Sequence, residues 1–250
     1  MTPSVVLSAR GLVKHYAGME RPAVDGIDLS IRPGEIFGLL GPNGAGKTTT
    51  IAMLSTTLRP DDGAVVICGL DALGETRRAR AHIGLVPQEI ALYPELTAEE
   101  NLNFFGRLQG LRGGELRHAC DAALAAVGLQ GRAGQRVDAF SGGMKRRANL
   151  AAGLLHRPDL LFMDEPTVGI DAQSRQLIVE KLLELKAEGL TMLYTTHYME
   201  EAEALCDRVA IMDRGRILQE GPPGKLVEQA EACRDLGDLF LHLTGRELRD

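Results

Sequence analysis

Tryptophan is absent from the 250 residues, and aromatic residues of all kinds make up only 4%. Positive charge is scarce as well: 28 Lys and Arg stand against 34 Asp and Glu, a net charge of -6 with a pI near 5.6. That balance excludes the overall basic surface with which proteins hold nucleic acid, so no nucleic-acid partner is expected and any nucleotide must be held by a local site. Long apolar runs are missing. The most apolar neighbourhood, residues 36–58, is interrupted by Pro42, Asn43, Lys47 and four glycines, whereas a spanning helix needs about 20 nearly uninterrupted apolar residues. At the N-terminus Val5, Val6 and Leu7 precede Arg10, too short a run for a signal peptide. If this protein acts at a membrane, another chain crosses it. Cysteine is sparse and scattered, at 68, 120, 206 and 233 with no CxxC pair. The spacing indicates neither a zinc site nor a disulfide framework, and the four are expected as reduced core thiols.

What is abundant is glycine, 29 residues in 250, about 12% against a typical ~7%, which suggests loops with unusual backbone angles or close backbone approach. The remaining composition, 44% apolar and 25% charged, is that of an ordinary globular protein and excludes disorder, collagen and a coiled-coil rod. The length allows one large domain or a core with a smaller lobe.

The first part of the chain reads as short strands with turn punctuation, at 5–7, 29–31 and 36–40, then 64–67 and 83–86. Between the third and fourth, residues 47–58 hold no glycine or proline and suit a helix ending at Arg59-Pro60. After Pro87 the texture changes. Thr97 with Glu100 makes a capping box, Leu102, Phe105 and Leu108 share a helical face, and 116–127 repeats the pattern up to Gly128. Strands resume at 160–163, 191–195 and 209–212, separated by a helix with Ile178, Leu182 and Leu185 on one stripe, and Asp213-Arg214-Gly215 reads as a hairpin turn. The result is one α/β domain over 1–250: a core from 1–87 and 156–220, a helical insertion at 88–155 and a tail at 221–250.

Residues 41–48, Gly41-Pro42-Asn43-Gly44-Ala45-Gly46-Lys47-Thr48, fill every fixed position of GxxxxGK[ST] between an apolar strand and a helix. Glycines there let backbone N–H groups point at phosphate oxygens, the helix N-terminus adds partial positive charge, and Lys47 adds a full one. Thr48 presents its hydroxyl to magnesium. The strand 160–163 exits into Asp164 and Glu165. If the strand continues, these point to opposite sides, so that Asp164 addresses magnesium while Glu165 lies nearer an attacking water.

Ser141-Gly142-Gly143, between Phe140 and Met144, opens a further helix and lies between those two motifs. Alone it is a helix start. In this order the three motifs resemble the ATP-binding subunit of an ABC transporter, with Phe140 and Met144 replacing the outer two residues of that family's Leu-Ser-Gly-Gly-Gln, a variant that resembles exporters of drugs, ions or glycolipids. The likeness covers essentially the whole chain. Tyr16 resembles the aromatic that stacks on adenine, though a half-buried strand tyrosine is the plain alternative. Gln88 resembles the glutamine that reaches magnesium and senses the membrane partner, and Thr49 extends the ATP-binding loop. Asp171 resembles the aspartate facing the opposite subunit and equally suits an N-cap. His197 resembles the switch histidine near the γ-phosphate. Residues 197–203 and 238–245 also resemble the exporter branch, and Lys145, Arg146 and Arg147 are expected as a solvated basic face.

The resemblance implies a P-loop NTPase fold (RecA-like), a mixed-sheet core with an N-terminal antiparallel β lobe and an inserted α-helical subdomain. It implies an ATPase using ATP and Mg2+, in which Lys47, Glu165 and His197 are catalytic. Two copies, or one copy and a paralogue, would pack head to tail, each ATP lying between the 41–49 loop of one chain and Ser141, Gly142 and Gly143 of the other. A permease on a separate chain would couple closure to export at the cytoplasmic side of the membrane. Exporter subunits of this kind often carry a longer stretch before the tail, so no further C-terminal regulatory domain is expected. A soluble assembly ATPase, like the iron-sulfur scaffold ATPases of the same superfamily, is the alternative. A small-molecule kinase is a more distant one, because it leaves Ser141 to Gly143 and His197 without roles.

Overall fold

The structure, a computed structural model, describes residues 5–230 and 233–245. Residues 1–4, 231–232 and 246–250, parts of the expected domain and its tail, lie outside the described residues. The chain runs through β1 (Leu7–Lys14), β2 (Val24–Ile31), β3 (Ile36–Leu40), α1 (Lys47–Leu54), β4 (Asp62–Ile67), β5 (Leu70–Asp71), α2 (Thr76–Arg80) and β6 (Ile83–Val86). Three helices follow, α3 (Ala98–Leu108), α4 (Gly113–Ala126) and α5 (Gly142–Leu154). It returns through β7 (Leu160–Asp164), α6 (Ala172–Ala187), β8 (Thr191–Thr196), α7 (Met199–Leu205), β9 (Arg208–Asp213), β10 (Arg216–Gly221), α8 (Pro223–Gln229) and α9 (Leu236–Thr244).

The main sheet has the order β10-β9-β3-β8-β7-β6 and is parallel except for β10; a smaller antiparallel sheet has the order β2-β1-β4-β5. Central strands of a parallel sheet are covered on both faces and therefore read as unbroken apolar runs. All five residues of β3 and of β7 are buried. Their alternating side chains feed two cores. Ile36, Leu40, Leu161 and Met163 pack with the inserted helices and the C-terminal helices, whereas Phe37, Leu39, Leu160 and Phe162 pack with α1 and the antiparallel sheet. Each such side chain contributes roughly 1.5–3 kcal/mol on burial. The α/β architecture expected from the sequence is the one observed.

Local signals explain many boundaries. The Thr97–Glu100 capping box opens α3, and Arg214 and Gly215, at φ 46° and 80°, supply the left-handed pair that a tight β9–β10 hairpin requires. Four expectations need correction. The first strand starts where it was expected to end, because β1 is defined by pairing with both β2 and β4, which no alternation in its own sequence announces. Helix α1 stops at Leu54, where its threonine-rich continuation has low helix propensity and Thr56, at φ 62°, is bonded through Oγ1 and its carbonyl by Arg80 of α2. Leu108 is 69% exposed while Leu102 is buried, so the apolar face of α3 ends one turn early. Of the cysteines only Cys120 and Cys206 are buried; Cys68 and Cys233 are half-buried.

Candidate phosphate-binding active site

Strand β3 ends in the glycine loop and α1 begins at Lys47, its N-terminus facing the loop. Gly46 has φ 105°, and a Cβ there would lie 2.3 Å from the carbonyl oxygen of Ala23, so no other residue fits. Lys47 is 5% exposed. Its Nζ donates to the carbonyls of Gly41 (2.7 Å) and Pro42 (3.2 Å) and lies 3.1 Å from Glu165 Oε1. A cavity of about 610 Å³ opens beside it, lined by Tyr16, Lys47, Thr48, Thr49, Gln88 and Glu165 together with Pro42, Asn43, Gly44 and Gly46. Gly41 and Ala45 are buried in the loop and do not line it. The Tyr16 hydroxyl stands 3.4 Å from Thr49 Oγ1.

Parallel register sets Asp164 of β7 beside Thr195 of β8. Thr195 Oγ1 donates to Asp164 Oδ1 (2.7 Å) and accepts from the Glu165 amide (2.9 Å), so one hydroxyl braces both carboxylate residues. The expectation of two carboxylates alternating along a continued strand fails. Strand β7 ends at Asp164, and Glu165 has φ 46°, a left-handed conformation outside the strand. Such a backbone costs of order 1–3 kcal/mol and persists where surroundings over-determine it. Here they do: besides Thr195, Glu165 meets Lys47 through Oε1 and His197 Nδ1 through Oε2 at 3.3 Å. The His197 contact is an ion-pair distance without hydrogen-bond alignment.

The remaining expected residues lie elsewhere. Ser141, Gly142 and Gly143 do not line the cavity. Ser141 is exposed and caps α5 by accepting from the Met144 amide at 3.3 Å. Gly142 is exposed as well, whereas Gly143 is buried against α6, where a Cβ would fall 2.1 Å from Ser174 Oγ. Asp171 caps α6 through the Ser174 amide (2.9 Å) and hydroxyl (2.7 Å), and these bonds hold its carboxyl below the usual carboxylate range. Its N-cap reading is thus met.

The solvated basic face expected at 145–147 fails at Arg146 and Arg147. The Arg146 guanidinium bonds the carbonyls of Gln88 and Val168, and Arg147 bonds those of Val127 and Gly128, with desolvation lowering the pKa of both. Asn149 completes the clasp on the Gln88 loop, donating to the Pro87 carbonyl (3.2 Å) and accepting from the Ala91 amide (3.2 Å). Helix α5 therefore carries the Ser141 turn at one end and holds the Gln88 loop along its side.

A second group missed in the sequence is centred on buried Glu201. Its Oε2 accepts from Tyr194 (2.6 Å) and Thr167 (2.9 Å), and Oε1 lies 3.2 Å from Arg175 Nε. Arg175 also covers the Tyr198 ring at 4.5 Å. The cluster ties β8, α7, the start of α6 and the turn after Glu165. Burial first, and the Glu201 charge second, push the Tyr194 phenol well up. Thr195 carries no motif, and Glu201, though inside the 197–203 stretch that resembles the exporter branch, takes no role from that resemblance; only their places, at or just after the C-terminal end of β8, could have flagged them.

Strands β3 and β7 deliver a phosphate loop and a carboxylate pair to the same edge of one sheet, which makes this chain a P-loop ATPase. Within that class it belongs to the ABC transporter family, which matches residues 24–168. The chain is 48% identical over 240 residues to the linearmycin resistance ATP-binding protein LnrL of Bacillus subtilis, covering 96% of this chain and 75% of that one. It is 46% identical over 228 residues to the Nod factor export ATP-binding protein I of Ralstonia nicotianae, covering 91% and 70%. It superposes with a TM-score of 0.78 and 26% identity on an ATP-binding cassette solved as a dimer in a post-hydrolysis state with ADP and phosphate, covering 86% and 98%. This is a subunit that binds and hydrolyses ATP. Among the described residues no helix is long and apolar enough to cross a membrane.

Proposed function

We propose that the chain powers export, working in pairs at the cytoplasmic face of a membrane beside a permease on a separate chain. The observation that carries the proposal is the position of Glu165, its carboxylate shared between Lys47 and His197. Phosphoryl transfer leaves the protein mainly positioning and electrostatics. ATP enters with its phosphates against residues 41–49 and its adenine on Tyr16. The triphosphate competes with Glu165 for the buried ammonium of Lys47. As phosphate oxygens take up that charge, Glu165 Oε1 is released to orient and deprotonate the attacking water, and His197, beside Glu165, acts as the switch histidine near the γ-phosphate. Thr48, Gln88 and Asp164 offer hydroxyl, amide and carboxylate oxygens, the hard donor set that suits Mg2+. The ion when bound neutralises charge on the phosphate oxygens.

Ser141, Gly142 and Gly143 act on ATP held by a facing copy or paralogue, and Asp171 lies at that interface. Exposure of Ser141, Gly142 and Asp171 supports this, as does the dimeric relative. The permease docks on the helical insertion beside the Gln88 loop, where Tyr93, Phe104 and Leu108 stand exposed and the Tyr93 and Phe104 rings meet edge to face at 5.2 Å. The names of the relatives point to export and resistance, and neither relative is an assembly ATPase.

In Glu165→Gln, Lys47 keeps its two carbonyl partners, so ATP binding should persist. Hydrolysis should fall about 100-fold or more, the range for losing a base or water-positioning group. An ATP-dependent dimer should then accumulate in size-exclusion chromatography. Undiminished turnover in that variant overturns the assignment, and a pull-down from solubilised membranes that recovers only soluble partners overturns the permease.

A further inference from the structure

A second cavity, of about 790 Å³, lies beside the N-terminal ends of β6 and β7, the edge of the main sheet opposite the phosphate loop. Its wall is largely small and apolar, with Ala119, Ala122, Ala123 and Ala126 from α4. Cys68, His82 and Asp159 meet on its lining. Each offers one donor atom, sulfur, ring nitrogen or carboxylate oxygen, and the three atoms lie within 4.8 Å of one another; among the described residues no other His, Cys, Asp or Glu group of three does this. The three come from separate places: the β4–β5 turn, the residue before β6 and the residue before β7. No spacing rule joins positions 68, 82 and 159, which is why the cysteine pattern pointed to no metal.

Backbone bonds preorganise them. The His82 carbonyl accepts from the amides of both Asp159 (3.0 Å) and Leu160 (3.1 Å), and the Cys68 amide donates to Val6 (2.8 Å) from a left-handed conformation at φ 49°. His82 Nδ1 and Asp159 Oδ2 stand 2.6 Å apart. Burial first, then the Asp159 charge, raise the Cys68 thiol pKa. Cys68 and His82 are half-buried and Asp159 is exposed, so an ion can enter and one coordination position can stay with water.

We propose that Cys68, His82 and Asp159 form a metal site for a zinc-class divalent cation. A mixed sulfur, nitrogen and oxygen donor set is wrong for Mg2+ or Ca2+, which take oxygen, and right for a borderline-soft ion bound by three protein ligands and a water. With bond lengths of about 2.0–2.3 Å, donor atoms in a tetrahedral site sit roughly 3.3–3.8 Å apart, so small side-chain adjustments complete it. On binding, the Cys68 S–H bond breaks, its proton goes to solvent and the sulfur lone pair forms the metal bond. His82, whose Nδ1–H faces Asp159 Oδ2 in the free chain, gives that proton up to solvent and binds through Nδ1 as the tautomer with its proton on Nε2, the latter drawn from solvent if the ring did not already carry it. Asp159 binds through a carboxylate oxygen in place of its contact with His82. The thiolate and carboxylate then balance the two positive charges. The bound ion ties the antiparallel lobe to the edge of the main sheet, away from Lys47 and Glu165.

The test uses the full chain, stripped with chelator and titrated with Co2+ and then Zn2+ without nucleotide, so its result is independent of the ATP site. The expected result is a thiolate-to-cobalt charge-transfer band saturating at one ion per chain, displaced by Zn2+, with a rise in Tm. Cys68→Ala should abolish the band and leave ATP hydrolysis unchanged. Asp159→Asn should keep the band and weaken Zn2+ binding about tenfold or more. Absence of the band in the unaltered chain overturns the site. So does a band that survives Cys68→Ala, because Cys120, Cys206 or Cys233 then holds the metal.

Discussion

The phosphate loop and the Ser141 turn both present amide groups at a helix start, yet they are built to opposite standards. Lys47 is buried with three partners, and the neighbouring Asp164 and Glu165 are buried and braced by Thr195. Ser141 and Gly142 are exposed, and among the described residues the Ser141 hydroxyl makes only the bond that caps its own helix. On the proposed function the contrast has a reason: a group that must hold a multiply charged ligand by itself is preorganised by its own fold, and a group that waits for a ligand brought by another subunit is left open. The two regions are linked through α5, which carries the open turn and also, through Arg146 and Asn149, clasps the loop of Gln88, a residue that lines the cavity beside the phosphate loop.

Substitutions can break this contrast. Lys47→Ala should have the largest effect, weakening ATP binding about 100-fold or more. A cation about 4 Å from a phosphate oxygen gains about 4 kcal/mol at an effective dielectric near 20, and each 1.4 kcal/mol is tenfold. Unchanged affinity in a nucleotide titration would remove the loop from the phosphate site. Ser141→Ala should leave ATP affinity of the separate subunit intact while lowering hydrolysis roughly tenfold, with a stability loss of about 1 kcal/mol from the missing cap. If binding and hydrolysis fall together in a two-ligand assay, the turn belongs to its own chain's site and the contrast disappears.

Tyr194→Phe should have the smallest effect. It takes one donor from buried Glu201, costs about 1–2 kcal/mol, and should be read as a lower Tm with ATP affinity unchanged. The same residue supplies a pH signature. Its pKa is raised in the folded chain, so the unfolded chain loses the phenol proton first, near pH ~10. Stability from this group is complete below that pH and falls as pH rises above it. Denaturant midpoints measured between neutral and strongly alkaline pH should therefore fall less steeply in the phenylalanine variant.

Much of the fold was legible because its signals are local. Unbroken apolar runs marked β3 and β7, Thr97 and Glu100 marked the start of α3, and Arg214-Gly215 marked the last hairpin. The failures have one origin. β1 is a strand because two neighbours pair with it, α1 ends where Arg80 holds Thr56, and Arg146 is not solvated because two carbonyls lie within its reach. In the site the glycine loop and the carboxylate pair were legible as motifs. Thr195, Asn149 and Glu201 were not, since a threonine, an asparagine and a glutamate carry no meaning until their partners are known.

By itself the sequence determined the class of the machine: phosphate loop, carboxylate strand and serine-glycine-glycine turn, in that order, since backbone conformation, helix capping and charge are properties of short segments. Only the tertiary structure decided that Glu165 leaves the strand in a left-handed turn to meet Lys47 and His197, and that one threonine supports both carboxylates. It alone decided that Cys68, His82 and Asp159 converge at the far edge of the sheet. Those arrangements depend on strand order and register, which bring together residues tens of positions apart and which no local pattern encodes.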